Sequence, residues 1–371
     1  MPNRAILFAA LLVLLGLGLT SRPVSAQDIV TSMRVETQSA ASESTSPYFV
    51  QFGIAGKPTS IAIENAGRVW VTLPELDAIG VISVTEATSQ TVTSYLARTF
   101  FLAPGSQPYD LTFYAGEVWF TAYVGNVIGR LDPATESIRT YPIPENDSGP
   151  TGIAVATDGK VWFAQRKANR LSQLDPISGT FQSYLYPRPD GGLEEVVTVQ
   201  PDSIWFTAPN VNRVANLDPV KNTFVSVPTL PYTMPMGLAV EPGDVPWVSV
   251  FGGNLVGRYA PGTLAFWRWT TLTSGGEYSF GPQRIALAEG GFPRNLFYAN
   301  GPAQHIGRML VGADSATSGI RQMPAPSSAC TPLDVAIDGD GNAWFTCGPA
   351  NIVFTWRHPF SSDIFIPIAA R

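Results

Sequence analysis

Three observations predict an all-β fold, a seven-bladed β-propeller of four-stranded antiparallel blades. Tryptophans recur every 42 to about 50 residues, at Trp70, Trp119, Trp162, Trp205, Trp247 and Trp344, with Leu296 or Phe297 filling the one gap. Each closes a segment of period-two apolar alternation, as in "GPTGIAVATDGKVWFA" (149–164). Helical periodicity is hard to find after residue 50, and 34 glycines and 32 prolines supply the turns that many short strands need.

From the N-terminus, Arg4, the apolar run "AILFAALLVLLGLGL" (5–19) and the small residues "VSA" (24–26) predict a signal peptide cleaved after Ala26. The run is short for a bilayer span, and no later segment is long and apolar enough to be one. Residues 27–47, rich in Ser, Thr, Ala and Gln, read as a flexible leader. The propeller is expected to occupy 48–371. Its seven copies begin near Lys57, Gln107, Gly149, Gly191, Met234, Gly281 and Thr331, and the fourth lacks the proline that opens the others. Within a copy, a "GIAVA"-like strand, a Gly-containing turn and a "VWFT" strand are followed by a third strand such as "NVIGRLD" (126–132). A Pro/Gly turn then leads to a fourth, such as "IRTYPIP" (138–144). One such sheet cannot bury both faces, so blades must stack radially with the Trp and Phe rings in the wedges between them. Two segments compete to close the ring, "YFVQFGIA" (48–55) and "DIFIPIA" (363–369).

Removing residues 1–26 takes away Arg4 and Arg22 and no acid, moving the formal net charge from −6 to −8. That balance argues against nucleic acid and anionic membrane surfaces as partners. Cys330 precedes the first strand of the seventh copy and Cys347 ends its second. Antiparallel pairing brings those ends together, so a local disulfide is expected. "DGDGN" (338–342) begins like a calcium loop, but Ala343 and Pro349 stand where that loop needs Gly and Glu, and the segment reads as a hairpin turn.

The unit built from "GPTGIAVATDGKVWFA", "NVIGRLDPAT" (126–135) and "YPIP" (141–144) resembles the streptogramin lyase family, the virginiamycin B lyases, over roughly residues 48–371. The resemblance implies a seven-bladed propeller and a Mg²⁺-dependent elimination that linearises cyclic streptogramin B antibiotics. It places the site at one mouth of the central channel, with histidines directly after the opening prolines and a glutamate after the "VWF" strand. This sequence departs from that pattern. The post-proline positions are Thr59, Tyr109, Thr151, Met236, Gln283 and Leu333, with the fourth copy near Leu193. Four residues past each tryptophan, or past Leu296 in the sixth copy, stand Pro74, Tyr123, Arg166, Pro209, Phe251, Asn300 and Gly348. The two histidines, His305 and His358, fall on a third strand and in an outer turn.

If the family geometry holds, Tyr109, Tyr123, Thr151, Gln165, Arg166, Gln283 and Asn300 gather at the mouth, with Glu194 and Glu195 as its carboxylates. Aromatic faces, a cation and amides suit a polar small molecule, a glycan or a protein surface. The reading is therefore an exported, monomeric, non-catalytic binding or scaffold propeller with no cofactor. The alternative is a Mg²⁺-dependent carbon–oxygen lyase whose site is rebuilt from other residues. A sugar-lactone hydrolase on a related propeller lacks any recognisable metal-ligand set here.

Overall fold

The computed structural model describes residues 36–37, 49–65, 67–87, 92–229, 233–260, 265–270, 281–288, 294–312 and 317–356. The expected signal peptide, most of the expected leader, His358 and the segment 363–369 lie outside the described residues.

Seven antiparallel four-stranded sheets follow one another along the chain, and in the sixth Glu36–Thr37, within the expected leader, adds a short fifth strand parallel to Thr317–Pro324. Their innermost strands are Ile61–Asn65, Pro108–Tyr114, Pro150–Val155, Val196–Gln200, Pro235–Glu241, Arg284–Leu287 and Pro332–Ile337. Each touches the next, and the seventh touches the first, so the strands ring a central channel. In blades 1 to 6 the four strands are consecutive in sequence. Blade 7 contributes three, ending with Ile352–Trp356, and Phe49–Gly53 pairs antiparallel with that last strand from Phe49↔Trp356 to Gly53↔Ile352. The N-terminal segment therefore closes the ring by supplying the outer strand of blade 7.

The reason lies in the outer-strand aromatics. Trp119 and Trp162 stack on Tyr141 and Tyr184 of their own outer strands, with ring centroids 6.0 and 5.7 Å apart. Phe52 supplies the same partner to Trp344 at 5.3 Å. Such pairs contribute about 0.5–1.5 kcal/mol beyond area burial. The apolar clusters straddle blade junctions: Trp162 lies with Ile204 and Phe206 of blade 4, and Trp70 with Leu111 and Phe120 of blade 2. The tryptophans thus fill the wedges, as the repeat predicts. In blade 6 the position belongs to Phe297, which sits opposite Arg308 as Trp247 sits opposite Arg258.

A recurrent turn joins the second strand to the third. Asp77, Asn126, Asn169, Asn212, Asn254, Gln304 and Asn351, one per blade, all have φ between 46° and 56°. Asn tolerates this left-handed conformation better than most side chains. Several also clamp the loop to the next blade: Asn126 Nδ2 donates to the Glu145 carbonyl while its Oδ1 accepts from Ser148 N–H. Cys330 and Cys347 are joined by a disulfide, with Cα atoms 5.3 Å apart. In "DGDGN", Asp338 Oδ1 accepts from Asp340 and Asn342 N–H, and Oδ2 accepts from Trp344 Nε1. That carboxylate serves the turn and the indole.

Candidate functional site

A row of hydroxyls fixes where each inner strand enters the channel. Thr121 Oγ1 accepts from Asp110 N–H and donates to the Thr151 carbonyl of the next blade, at 3.1 and 2.7 Å. Thr207, Ser249 and Thr346 repeat this toward Met236, Gln283 and Thr59. In blade 4 it is Glu195 N–H that donates to Thr207 Oγ1. The residue equivalent to Tyr109 and Thr151 is therefore Glu194, one position beyond the expected Leu193. Ala164 breaks the row between blades 3 and 4. There Gly152 N–H donates to the Glu194 carbonyl at 2.7 Å, and a Cβ on Gly152 would fall 2.4 Å from that oxygen. Only glycine allows this approach, and it carries Glu194 into the mouth.

Glu194 is the hub. Its side chain is 1% exposed. It accepts from the Tyr109 hydroxyl and pairs with Arg166. Arg284 Nη2 lies 3.5 Å from its Oε1, while Arg284 Nη1 pairs with Glu195. Arg166 Nη2 also donates to Tyr109 Oη at 3.0 Å, and its guanidinium sits 5.4 Å from the centroid of that ring. Tyr109 and Tyr123 lie 5.7 Å apart, both partly exposed, and Lys167 Nζ stands 5.2 Å over Tyr123. Of the expected residues, Tyr109, Tyr123, Arg166, Glu194 and Glu195 thus converge.

The others do not form part of this cluster. Thr151 is fully buried, and its hydroxyl donates to the Leu193 carbonyl. Gln165 is buried against Ser172 on the neighbouring strand, because the residue three past the tryptophan points into the sheet. Asn300 is in the same situation. With Phe297 as the tryptophan equivalent, Gly301 rather than Asn300 occupies the mouth position, and Asn300 Oδ1 accepts from Ala303 N–H. Gln283 is partly buried, with its backbone tied to Ala299 and Ser249.

Beneath the hub runs a cavity of about 450 Å³ along the channel, with Asp110, Glu195, Arg284 and Asp334 among its lining. Arg284, Asp110 and Asp334, with Ser60, were not singled out from sequence. All four occupy the position after the post-proline residue, and that alignment was the available signal. Burial alone would lower the Arg284 pKa, but Asp110, Asp334 and Tyr109 raise it. Burial pushes the Asp334 carboxyl up to about 6, and Asp110 adds to this against the opposing pull of Arg284.

The family's Mg²⁺ does not fit this mouth. Both carboxylates there are engaged by arginine, and among the described residues no group of three or more His, Cys, Asp or Glu is placed to hold a metal. His305 lies at the start of a third strand, its Nδ1 against the Ala303 carbonyl, and does not reach the hub.

The virginiamycin B lyase family model matches residues 48–266, more than half of the chain. The chain belongs to the virginiamycin B lyase family. Among solved structures it is similar to the selenomethionine-substituted virginiamycin B lyase from Staphylococcus aureus. That match has 22% identity and a TM-score of 0.71, and covers 83% of this chain and 98% of that one. A catalytically inactive form of the Staphylococcus aureus lyase with quinupristin matches with 21% identity, the same coverage and the same TM-score. Hydrazine synthase from Kuenenia stuttgartiensis matches at 12% identity and a TM-score of 0.63, over 82% of this chain and 96% of that one. At these identities the likeness is one of fold, which unrelated chemistries share. No curated protein sequence matches the chain. Within the virginiamycin B lyase family, this member carries Thr59, Tyr109, Thr151, Glu194, Met236, Gln283 and Leu333 where its inner strands enter the channel.

Proposed function

We propose that this member of the family is an exported binding propeller that takes a polar small molecule or glycan at the channel mouth. The observation that carries the reading is the state of Glu194. That carboxylate is 1% exposed, paired with Arg166 and hydrogen-bonded to Tyr109. It is poorly suited to remove a proton from a substrate, since a general base needs a free lone pair near the acidic proton. The same network rigidifies Tyr109 and Arg166 beside Tyr123 and Lys167, presenting aromatic faces and cationic edges to a ligand. Export is supported by the N-terminal sequence and by the Cys330–Cys347 disulfide, a bond that persists in oxidising compartments.

The reading is tested by thermal shift against a panel of oligosaccharides and polar metabolites. A ligand at about 100 times its dissociation constant stabilises by about 2.7 kcal/mol. The expected hit raises the melting temperature of the wild type and loses about tenfold or more in affinity in Tyr123→Ala. A hit that binds Tyr123→Ala and Arg166→Gln as tightly as wild type would place binding elsewhere and overturn the assignment.

A further inference from the structure

Ser60, Asp110 and Asp334 meet in the channel in an arrangement that two ionised carboxylates cannot satisfy. Ser60 Oγ lies 2.6 Å from Asp110 Oδ1 and 2.8 Å from Asp334 Oδ2. A hydroxyl has one proton to donate. The backbone N–H groups around the pair do not resolve the shortage, because each donates to a carboxylate oxygen and none to Ser60 Oγ; Leu111 and Ile61 donate to the same Asp110 Oδ1 and Asp334 Oδ2 that meet Ser60. Leu111 and Ile153 donate to Asp110, and Val335 and Ile61 donate to Asp334. With both acids ionised, one of the two short contacts would set lone pair against lone pair, an unfavourable contact that a proton on one carboxyl removes.

We propose that Asp334 carries a proton, donates it to Ser60 Oγ, and that Ser60 in turn donates to Asp110, making a pH-sensitive lock across the ring-closing seam. The three residues belong to blades 7, 1 and 2, so the chain of hydrogen bonds spans the junction where the last blade meets the first. Ser60 Oγ lies closer to Asp110 than to Asp334, in keeping with that order of donation. The Asp334 carboxyl, pushed up to about 6 by burial and by Asp110, is the member that keeps its proton in mild acid.

The charged groups that face the pair come from four inner strands. Asp110 and Tyr109 stand on blade 2, Glu194 and Glu195 on blade 4, Arg284 on blade 6 and Asp334 itself on blade 7. Blade 1 contributes Ser60, while Gly152 and Gly237 occupy the matching places in blades 3 and 5. Arg284 favours ionised Asp334, but it is shared with Glu195 and Glu194. The sign is fixed by comparison with the unfolded chain, where an aspartate titrates near about 4. Between about 4 and about 6 the folded protein holds a proton that the unfolded chain releases. Stability from this group is therefore fully present at the acid end of that window. It is lost as pH rises through about 6, where a second charge enters the seam.

The test is urea unfolding of the whole protein across this window, comparing wild type with Asp334→Asn, alongside an infrared titration of the wild-type carboxyl band. The folding equilibrium constant of wild type is expected to fall up to about tenfold per pH unit relative to Asp334→Asn, the effect of one proton. The infrared spectrum is expected to show a protonated carboxyl band that disappears as pH passes about 6 and is absent from Asp334→Asn. Equal slopes in the two proteins would overturn the proposal. If Asp334→Asn does not fold, the wild-type infrared titration decides alone, and no protonated carboxyl band at about pH 5 would overturn it.

Discussion

Trp162 and Trp344 occupy the same place in their blades, yet only one of the two indoles has a partner. Trp344 Nε1 donates to Asp338, six residues earlier, at 2.7 Å. Trp70 and Trp247 use Glu64 and Glu241 at the same spacing. In blade 3 the position is Ala156, and the buried Trp162 Nε1 finds no acceptor. The turn around it is otherwise the same. Ala156 N–H donates to the Lys160 carbonyl at 2.9 Å as Asp338 N–H does to Asn342 at 3.0 Å. The substitution Ala156→Asp is therefore expected to satisfy the indole and raise stability by about 1 kcal/mol, read as a higher urea midpoint. An unchanged or lower midpoint would mean that the carboxylate does not fit. This acid-to-tryptophan spacing stands in the sequence at three blades, but periodicity alone does not reveal it, because a carboxylate six residues from a tryptophan looks like any exposed turn residue. Glu194 was legible as a mouth carboxylate. Its contact with Arg284 was not, because that residue lies 90 positions away in the sequence.

At the scale of elements, strand number and order follow from alternation and turn residues, and the second-to-third strand turn adds a rule of its own. Asn169 adopts φ 55°. Its Nδ2 donates to the Tyr186 and Arg188 carbonyls, and its Oδ1 accepts from Gly191 N–H. It therefore holds both the turn and the loop that delivers Glu194. Asn169→Ala loses the three hydrogen bonds and must strain the backbone, at a cost of about 2–4 kcal/mol. Asn169→Gly loses the bonds alone and is expected to be the milder change in equilibrium unfolding. Equal losses would mean that backbone conformation contributes nothing there. Blade 4 shows where sequence reading fails at this scale. Without the opening proline, "GGLEEVV" fits two registers, and the choice between Leu193 and Glu194 is made by Glu195 N–H on Thr207 Oγ1, a contact between strands. The closing strand was similarly open, because both terminal segments alternate. Phe52 against Trp344 shows what favours the first of them.

Taken whole, the molecule keeps the family's ring and presents at its mouth a paired cluster of tyrosine, carboxylate and arginine. The propeller builds its walls from tryptophan wedges and hydroxyl links, which place no demand on the residues entering the channel. Those positions are free to vary, and here they bring Tyr109, Glu194 and Arg284 together with Arg166 from a neighbouring turn. A carboxylate so paired gives a rigid, charge-balanced surface at the cost of a free base, an arrangement that favours binding over elimination. The decisive measurement is turnover of a streptogramin B antibiotic with Mg²⁺, followed by chromatography with mass detection. Elimination gives a linear product of shifted retention and unchanged mass, whereas hydrolysis adds one water. Unchanged substrate at high protein concentration is the expected result. A shifted, isobaric product absent from the protein-free control would contradict the binding reading and assign the chemistry to a base other than Glu194.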